Sequence, residues 1–251
     1  MAKLSVNHKI YDIDLVIFDK DGTLIDFHHL WGEKAILWVK WLVEKVGGNE
    51  ALQVALYHTI GYDPVTRRTI NDSPLAVTPM PKLYTIAAAV LYQHGVGWHE
   101  AEDCVQASLA HTIEALPTAD LIKPKGDVAH VCRRLQAAGV KLAIATSDSR
   151  APTQATLPLL GIEEQISLLA CGDDNLPGKP APDGLWHIGR ELGVEPSKMM
   201  FVGDTVSDML TGINAGVACR VGILGGVGDR AVLGAHADVV LESIEEILEA
   251  Q

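Results

Sequence analysis

Positive charge is scarce in this chain. Lys and Arg total 20 against 32 Asp and Glu, for a formal charge of -12. That balance excludes a general polyanion binder, because non-specific attraction to nucleic acid or to an anionic membrane needs an excess of cations. It favours cations as ligands instead. No apolar run approaches the roughly 20 residues needed to cross a bilayer. The opening "MAKLSVNHKIYDID" carries no hydrophobic signal region, and the expectation is a cytoplasmic protein with no membrane or nucleic-acid partner. Cysteine is also sparse. Cys104, Cys132, Cys171 and Cys219 are widely separated and form no Cys-x-x-Cys pair, which excludes a zinc knuckle and a disulfide framework and leaves them as small buried hydrophobes. No internal repeat or low-complexity tract is visible.

What the chain has is apolar content: 48% over 251 residues, enough for one large or two modest domains with real cores and too much for disorder. Four short runs read as strands buried on both faces: "IDLVIFD" (13–19), "VKLAIAT" (140–146), "KMMFVGD" (198–204) and the weaker "ACRVGI" (218–223). "ISLLACG" (166–172) and "ADVVLES" (237–243) fit the same sheet. Helix-period stretches lie between them at 128–139, 183–193 and 208–216, each ending in glycine. Alternating strand and helix predicts a Rossmann-like, doubly wound parallel sheet, an α/β fold.

Residues 26–122 break that rhythm. "WGEKAILWVKWLVEKVGG", "KLYTIAAAVLYQHG" and "WHEAEDCVQASLAHTIEAL" are helical in period, and Pro117 and Pro124 suit a returning linker. The expected organisation is an α/β core from residues 1–25 and 123–251 with a helical insertion over 26–122.

Ligands of open parallel sheets sit outside the carboxyl ends of the strands, so the residues following each run are the candidates. They are Asp19 and Asp21 after the first, Thr146 and Ser147 after "LAIA", Lys179 in "GKPAPD", and Asp204 and Asp208 in "FVGDTVSD". Four such carboxylates repel one another at low dielectric unless a divalent cation offsets them, and Mg²⁺ is the usual partner of a few carboxylates plus phosphate oxygens. A hydroxyl and a lysine at the opposite rim can hold the oxygens of a tetrahedral anion. Gly22 lets the backbone approach phosphate, with the amides of the following residues, Thr23 first, available to donate.

"DKDGT", "TS", "GKPAPD" and "GDTVSD", in that order, resemble the four signature motifs of the haloacid dehalogenase-like hydrolases, and the helical insertion resembles their C1 cap. The resemblance implies an aspartyl-phosphate mechanism. Asp19 would be the nucleophile, and Asp21 the general acid that protonates the leaving oxygen and later activates water. Thr146, helped by the Ser147 backbone, would bind the phosphoryl group, and Lys179 would pair with Asp19 and phosphate. Asp19, the backbone carbonyl of Asp21 and Asp204 would ligate Mg²⁺, with Asp208 holding a metal-bound water or positioning Lys179. Dehalogenases lack an acid at the position of Asp21, phosphonate-cleaving relatives have alanine there and transporting ATPases threonine. An aspartate therefore implies phosphate-ester chemistry on a small phosphorylated metabolite, closest to the phosphoglycolate phosphatase-like members.

A phosphomutase of the beta-phosphoglucomutase type would use the same core. A receiver-like or non-catalytic phospho-binding protein is disfavoured by the leading acid pair, the insertion and the later "GDTVSD". In the insertion, Trp31, Trp38 and Trp41 read as packing residues and His28 and His29 as linker histidines. "GYDPVTRRTINDSP" begins a turn at Asp63-Pro64 and offers Arg67 and Arg68, whose guanidinium groups could clamp a substrate carboxylate. The N-terminal "KLSVNHKIYD" reads as a short added strand or a loose arm.

Overall fold

The run Leu15–Phe18 is buried at every position, as befits a strand covered on both faces. A computed structural model, which describes residues 2–109, 111–113 and 115–250, sets it in the middle of a six-stranded sheet. The order is Val239–Leu241, Cys219–Ile223, Met199–Gly203, Leu15–Phe18, Lys141–Ala145, Ile166–Ala170, and every pairing is parallel. The chain runs outward from Leu15–Phe18 through Lys141–Ala145 and Ile166–Ala170, then resumes on the other side with Met199–Gly203. That reversal is the switch point at which open sheets bind ligands. Phe18 stands opposite both Ile144 and Val202, so Asp19, Thr146 and Asp204 leave the sheet within one residue of the same level.

Leu15, Ile17, Ala143, Met199 and Phe201 pack with Leu185 and Ile188 of the helix Asp183–Leu192 and with Ala215 of the helix Val206–Ala215. Burial of each larger member contributes about 1.5–3 kcal/mol. Helices Val128–Ala137 and Arg150–Leu160 complete the alternation. The N-terminal segment is a strand hairpin: Ala2–Val6 pairs antiparallel with Lys9–Ile13 and with Leu248–Glu249. Asn7 and His8, both at positive φ (47° and 64°), form its two-residue turn.

Backbone packing divides the chain into two compact units, one running to Asp26 and resuming at Pro117, the other spanning Phe27–Leu116. The second is built from helices Phe27–Lys45, Glu50–Ile60, Pro74–Val77, Met80–Gln93 and Trp98–Leu109, with a small hairpin of Tyr62–Asp63 and Arg68–Thr69. Trp38 is fully buried, and its indole N–H donates to Ser108 Oγ at 2.7 Å. Lys34 is buried too, donating to the carbonyl oxygen of Ile113 at 2.7 Å. Ala110 and Glu114, inside the helical stretch expected over 98–116, lie outside the described residues. Among the described residues no helix is long and apolar enough to cross a membrane.

Candidate active site

Three carboxylates converge at the switch point. Asp19, Asp204 and Asp208 are all buried, and each offers an oxygen within 4.8 Å of the others. Asp19 directly follows the central strand, its N–H bonded to Val202 O at 2.8 Å. Asp208 lies in the first turn of the helix Val206–Ala215, where Thr205 and Asp208 form a capping box: Thr205 Oγ1 accepts from Asp208 N, while Asp208 Oδ2 accepts from Thr205 N at 3.0 Å. Its other oxygen, Oδ1, accepts from Lys179 Nζ at 2.7 Å, and the same ammonium donates to Asp19 Oδ1 at 2.6 Å. One carboxylate thus anchors a helix start and orients a lysine.

Asp204 is fully buried in a cradle of backbone. Val227 N donates to its Oδ2 at 2.8 Å, and Gly228 N donates to its main-chain oxygen at 2.9 Å. Two glycines make the cradle possible. A Cβ on Gly22 would lie 2.2 Å from Asp204 Oδ2, and one on Gly226 would lie 2.0 Å from it. Gly22 also has φ +90°, a conformation open to glycine. The expected reason for Gly22 was approach to phosphate; its closest constraint is the Asp204 carboxylate. Thr23 is fully buried, with its hydroxyl 3.4 Å from Asp204 Oδ1.

Electrostatics mark this cluster as short of positive charge. Burial pushes Asp19 up to about 7, with Lys179 opposing the rise and Asp208 and Asp21 adding to it. Asp204 is raised well above its ordinary value by burial and then by repulsion from Asp19 and Asp208; the Val227 amide and Lys125 pull the other way. Burial works against the charge on Lys179, but Asp19 and Asp208 outweigh it and hold the ammonium above its usual range. A divalent cation is what such oxygen-only donors accommodate, so the residues present fit one.

Asp21 stands apart from these three. Its carboxylate accepts from Lys20 Nζ at 2.5 Å, and that ammonium, only 1% exposed, lies 3.0 Å from Asp148 Oδ2. Asp148 is fixed in turn by the Ser149 N–H on its Oδ1, at 2.8 Å. Lys20 therefore braces the loop after the first strand against the loop after Lys141–Ala145. Thr146 is buried and its Oγ1 accepts from Asp148 N at 3.1 Å, whereas Ser147 is exposed. Arg67 and Arg68 are exposed residues of the helical unit; Arg67 pairs with Glu33. In the same unit His28 is buried and its Nδ1 accepts from Thr69 N at 3.3 Å. The turn at Asp63 forms as expected, with Asp63 Oδ1 accepting from Val65 N at 2.9 Å.

Sequence reasoning missed Lys20, Asp148 and the Gly226–Val227 cradle. The one available signal was "GGVG" (225–228), one residue after the strand Cys219–Ile223.

Residues 13–216 match the family model of the haloacid dehalogenase-like hydrolases. The chain is 26% identical over 235 residues to validoxylamine A 7'-phosphate phosphatase of Streptomyces hygroscopicus subsp. limoneus, covering 93% of this chain and 95% of that protein. It is 29% identical over 236 residues to phosphoglycolate phosphatase of Pectobacterium atrosepticum, covering 92% and 89%. A solved HAD-superfamily hydrolase of subfamily IA from Geobacter sulfurreducens superposes with a TM-score of 0.62 at 20% identity, over 94% of this chain and 95% of that one; that likeness bears on the fold alone.

Proposed function

Since the chain belongs to the haloacid dehalogenase-like hydrolases, we propose that it is a phosphoric monoester hydrolase that uses Mg²⁺ and an aspartyl-phosphate on Asp19 to dephosphorylate a small metabolite. The observation that carries this reading is the convergence of Asp19, Asp204 and Asp208 within 4.8 Å with Lys179 bonded to the first and last. Asp19 and Asp204, with the Asp21 carbonyl, would hold Mg²⁺, which would supply charge neutralisation to the phosphoryl oxygens.

The rest follows from this chain's own residues. An Asp19 carboxylate oxygen attacks phosphorus in line, and the bond from phosphorus to the ester oxygen breaks. The leaving oxygen takes its proton from Asp21, two residues along the same turn. Water then attacks the phosphorus of the acyl phosphate and gives a proton to Asp21, releasing inorganic phosphate and restoring the Asp19 carboxylate. Lys179 steadies the phosphorylated state, and Asp208 positions Lys179. Thr146 and the Ser147 backbone hold phosphoryl oxygens.

Specificity is assigned to the helical unit, with Arg67 and Arg68 as its candidate substrate contacts. Two relatives of similar identity carry names with different substrates, so specificity is open to direct assay. The test is a phosphate-release screen over phosphoglycolate, sugar phosphates and nucleotides with Mg²⁺, repeated in excess chelator. Phosphate release from some of these, lost with chelator, is the expected result. Rates unchanged by chelator would overturn the metal scheme. Isomerisation of a sugar phosphate faster than phosphate release, with sugar bisphosphate added, would identify a mutase.

A further inference from the structure

Lys125 has no part in the chemistry above, yet its ammonium lies beside the Asp204 cradle. The chain leaves the α/β unit after Asp26, and its return segment pairs with the departing one. Ile25 bridges Pro124, Asp26 N donates to Lys123 O at 2.8 Å, and Lys125 N donates to Leu24 O at 3.0 Å. This pairing holds the Lys125 backbone against the loop that carries Gly22.

From that position the side chain reaches two main-chain acceptors. Lys125 Nζ donates to Gly22 O at 2.8 Å and to Leu224 O at 2.6 Å. The acceptors belong to the two loops that enclose Asp204. Gly22 and Gly226, the latter two residues beyond Leu224, both pack against the Oδ2 of its carboxylate, and the N–H of Val227 holds the same oxygen. Both glycines already sit at the limit of approach to that carboxylate, so a small change in loop separation would move Asp204 itself. Besides the pull its charge exerts on Asp204, this lysine donates to two carbonyl oxygens, and those bonds constrain loop geometry.

We infer that Lys125 is a positioning residue for the divalent cation: it staples the Gly22 loop to the Leu224–Val227 loop and so fixes how Asp204 faces the metal. The inference rests on the reading of Asp204 as a metal ligand. It has a definite sign. Direct repulsion of the cation by this ammonium would, once removed, tighten Mg²⁺ binding, and loss of its pull on Asp204 would weaken binding equally in every neutral variant; loss of a staple weakens it in step with the hydrogen bonds lost.

The test is calorimetric titration of Mg²⁺ alone into the intact chain without substrate, supported by the rise in Tm that Mg²⁺ produces. Lys125→Met is expected to weaken Mg²⁺ by about 10–100-fold, the usual cost of losing a group that orients a ligand. Lys125→Gln keeps a donor and part of the stem and should move the same way by less; it stands in if the methionine variant does not fold. Mg²⁺ affinity that is unchanged, with Tm in chelator lowered, would reduce Lys125 to a structural role and overturn the inference. Tighter Mg²⁺ binding in either variant would overturn it as well. Asp204→Asn is titrated beside them. If it binds Mg²⁺ as the wild type does, the metal reading itself fails; if it loses binding while Lys125→Met does not, only the staple fails.

Discussion

Replacing Lys179 by methionine removes one ammonium from between two buried carboxylates while keeping most of the side-chain volume. Lys179 is 11% exposed, Asp19 10% and Asp208 2% at the side chain, so solvent offers little compensation. Leaving a buried partner without its counter-charge costs about 3–5 kcal/mol. For a chain of this size each kcal/mol lowers Tm by about 2–4 °C, so the expected loss in chelator is about 6–20 °C. If Mg²⁺ binds as proposed it adds positive charge to the same cluster, and the loss should shrink when the cation is saturating. Differential scanning calorimetry of wild type and variant, each in chelator and in Mg²⁺, gives the four values required. Turnover should also fall, by about 10²–10³-fold if Lys179 stabilises developing charge. The reasoning is refuted by a Tm loss of equal size with and without Mg²⁺, since that would mean Lys179 and the cation do not share the carboxylates.

Asp21→Asn should slow both formation and hydrolysis of the phosphoenzyme in rapid-quench experiments while leaving substrate binding largely intact; unaltered burst and steady-state rates would remove Asp21 from proton transfer. The raised Asp19 gives a pH dependence of defined sign. Between 3.8 and about 7 the metal-free folded protein holds a proton that the unfolded chain releases, so its stability falls as pH rises, by about 1.4 kcal/mol per pH unit for each such proton. Mg²⁺ displaces that proton, so the gap in Tm between Mg²⁺ and chelator should widen across this window. A gap that is constant or narrows would contradict the burial and repulsion assigned to the cluster.

The sheet was legible because its inner strands are buried on both faces and so read as apolar runs. "LVIF" and "MMFVG" are the clearest, with every residue buried. The helix Arg150–Leu160 was not legible, because Pro152 and Pro158 punctuate it. Pro152 falls in the first turn, where its missing N–H costs nothing, and Pro158 falls in the last, where only one bond is lost. The N-terminal hairpin was ambiguous for another reason: its turn uses Asn7 and His8 rather than glycine.

In the site, Asp19, Asp204, Asp208 and Lys179 could be gathered from sequence because each follows a strand or lies in a distinctive motif. Lys20 and Lys125 could not. A lysine in a polar loop reads as solvated, and only the fold reveals that Lys20 is buried between two carboxylates or that Lys125 spans two carbonyls. Asp21 is the informative case. It shares a motif with Asp19, yet its carboxylate pairs with Lys20 and is not among the three that cluster, a division that spacing alone does not express.

In the proposed mechanism Asp19 becomes phosphorylated during turnover. Acid quench with a substrate labelled in its phosphoryl group, followed by peptide mapping, tests it directly. Label is expected on the peptide containing Asp19 in the wild type and none in Asp19→Asn, which should also be inactive. Label on another residue, or undiminished turnover in Asp19→Asn, would contradict it.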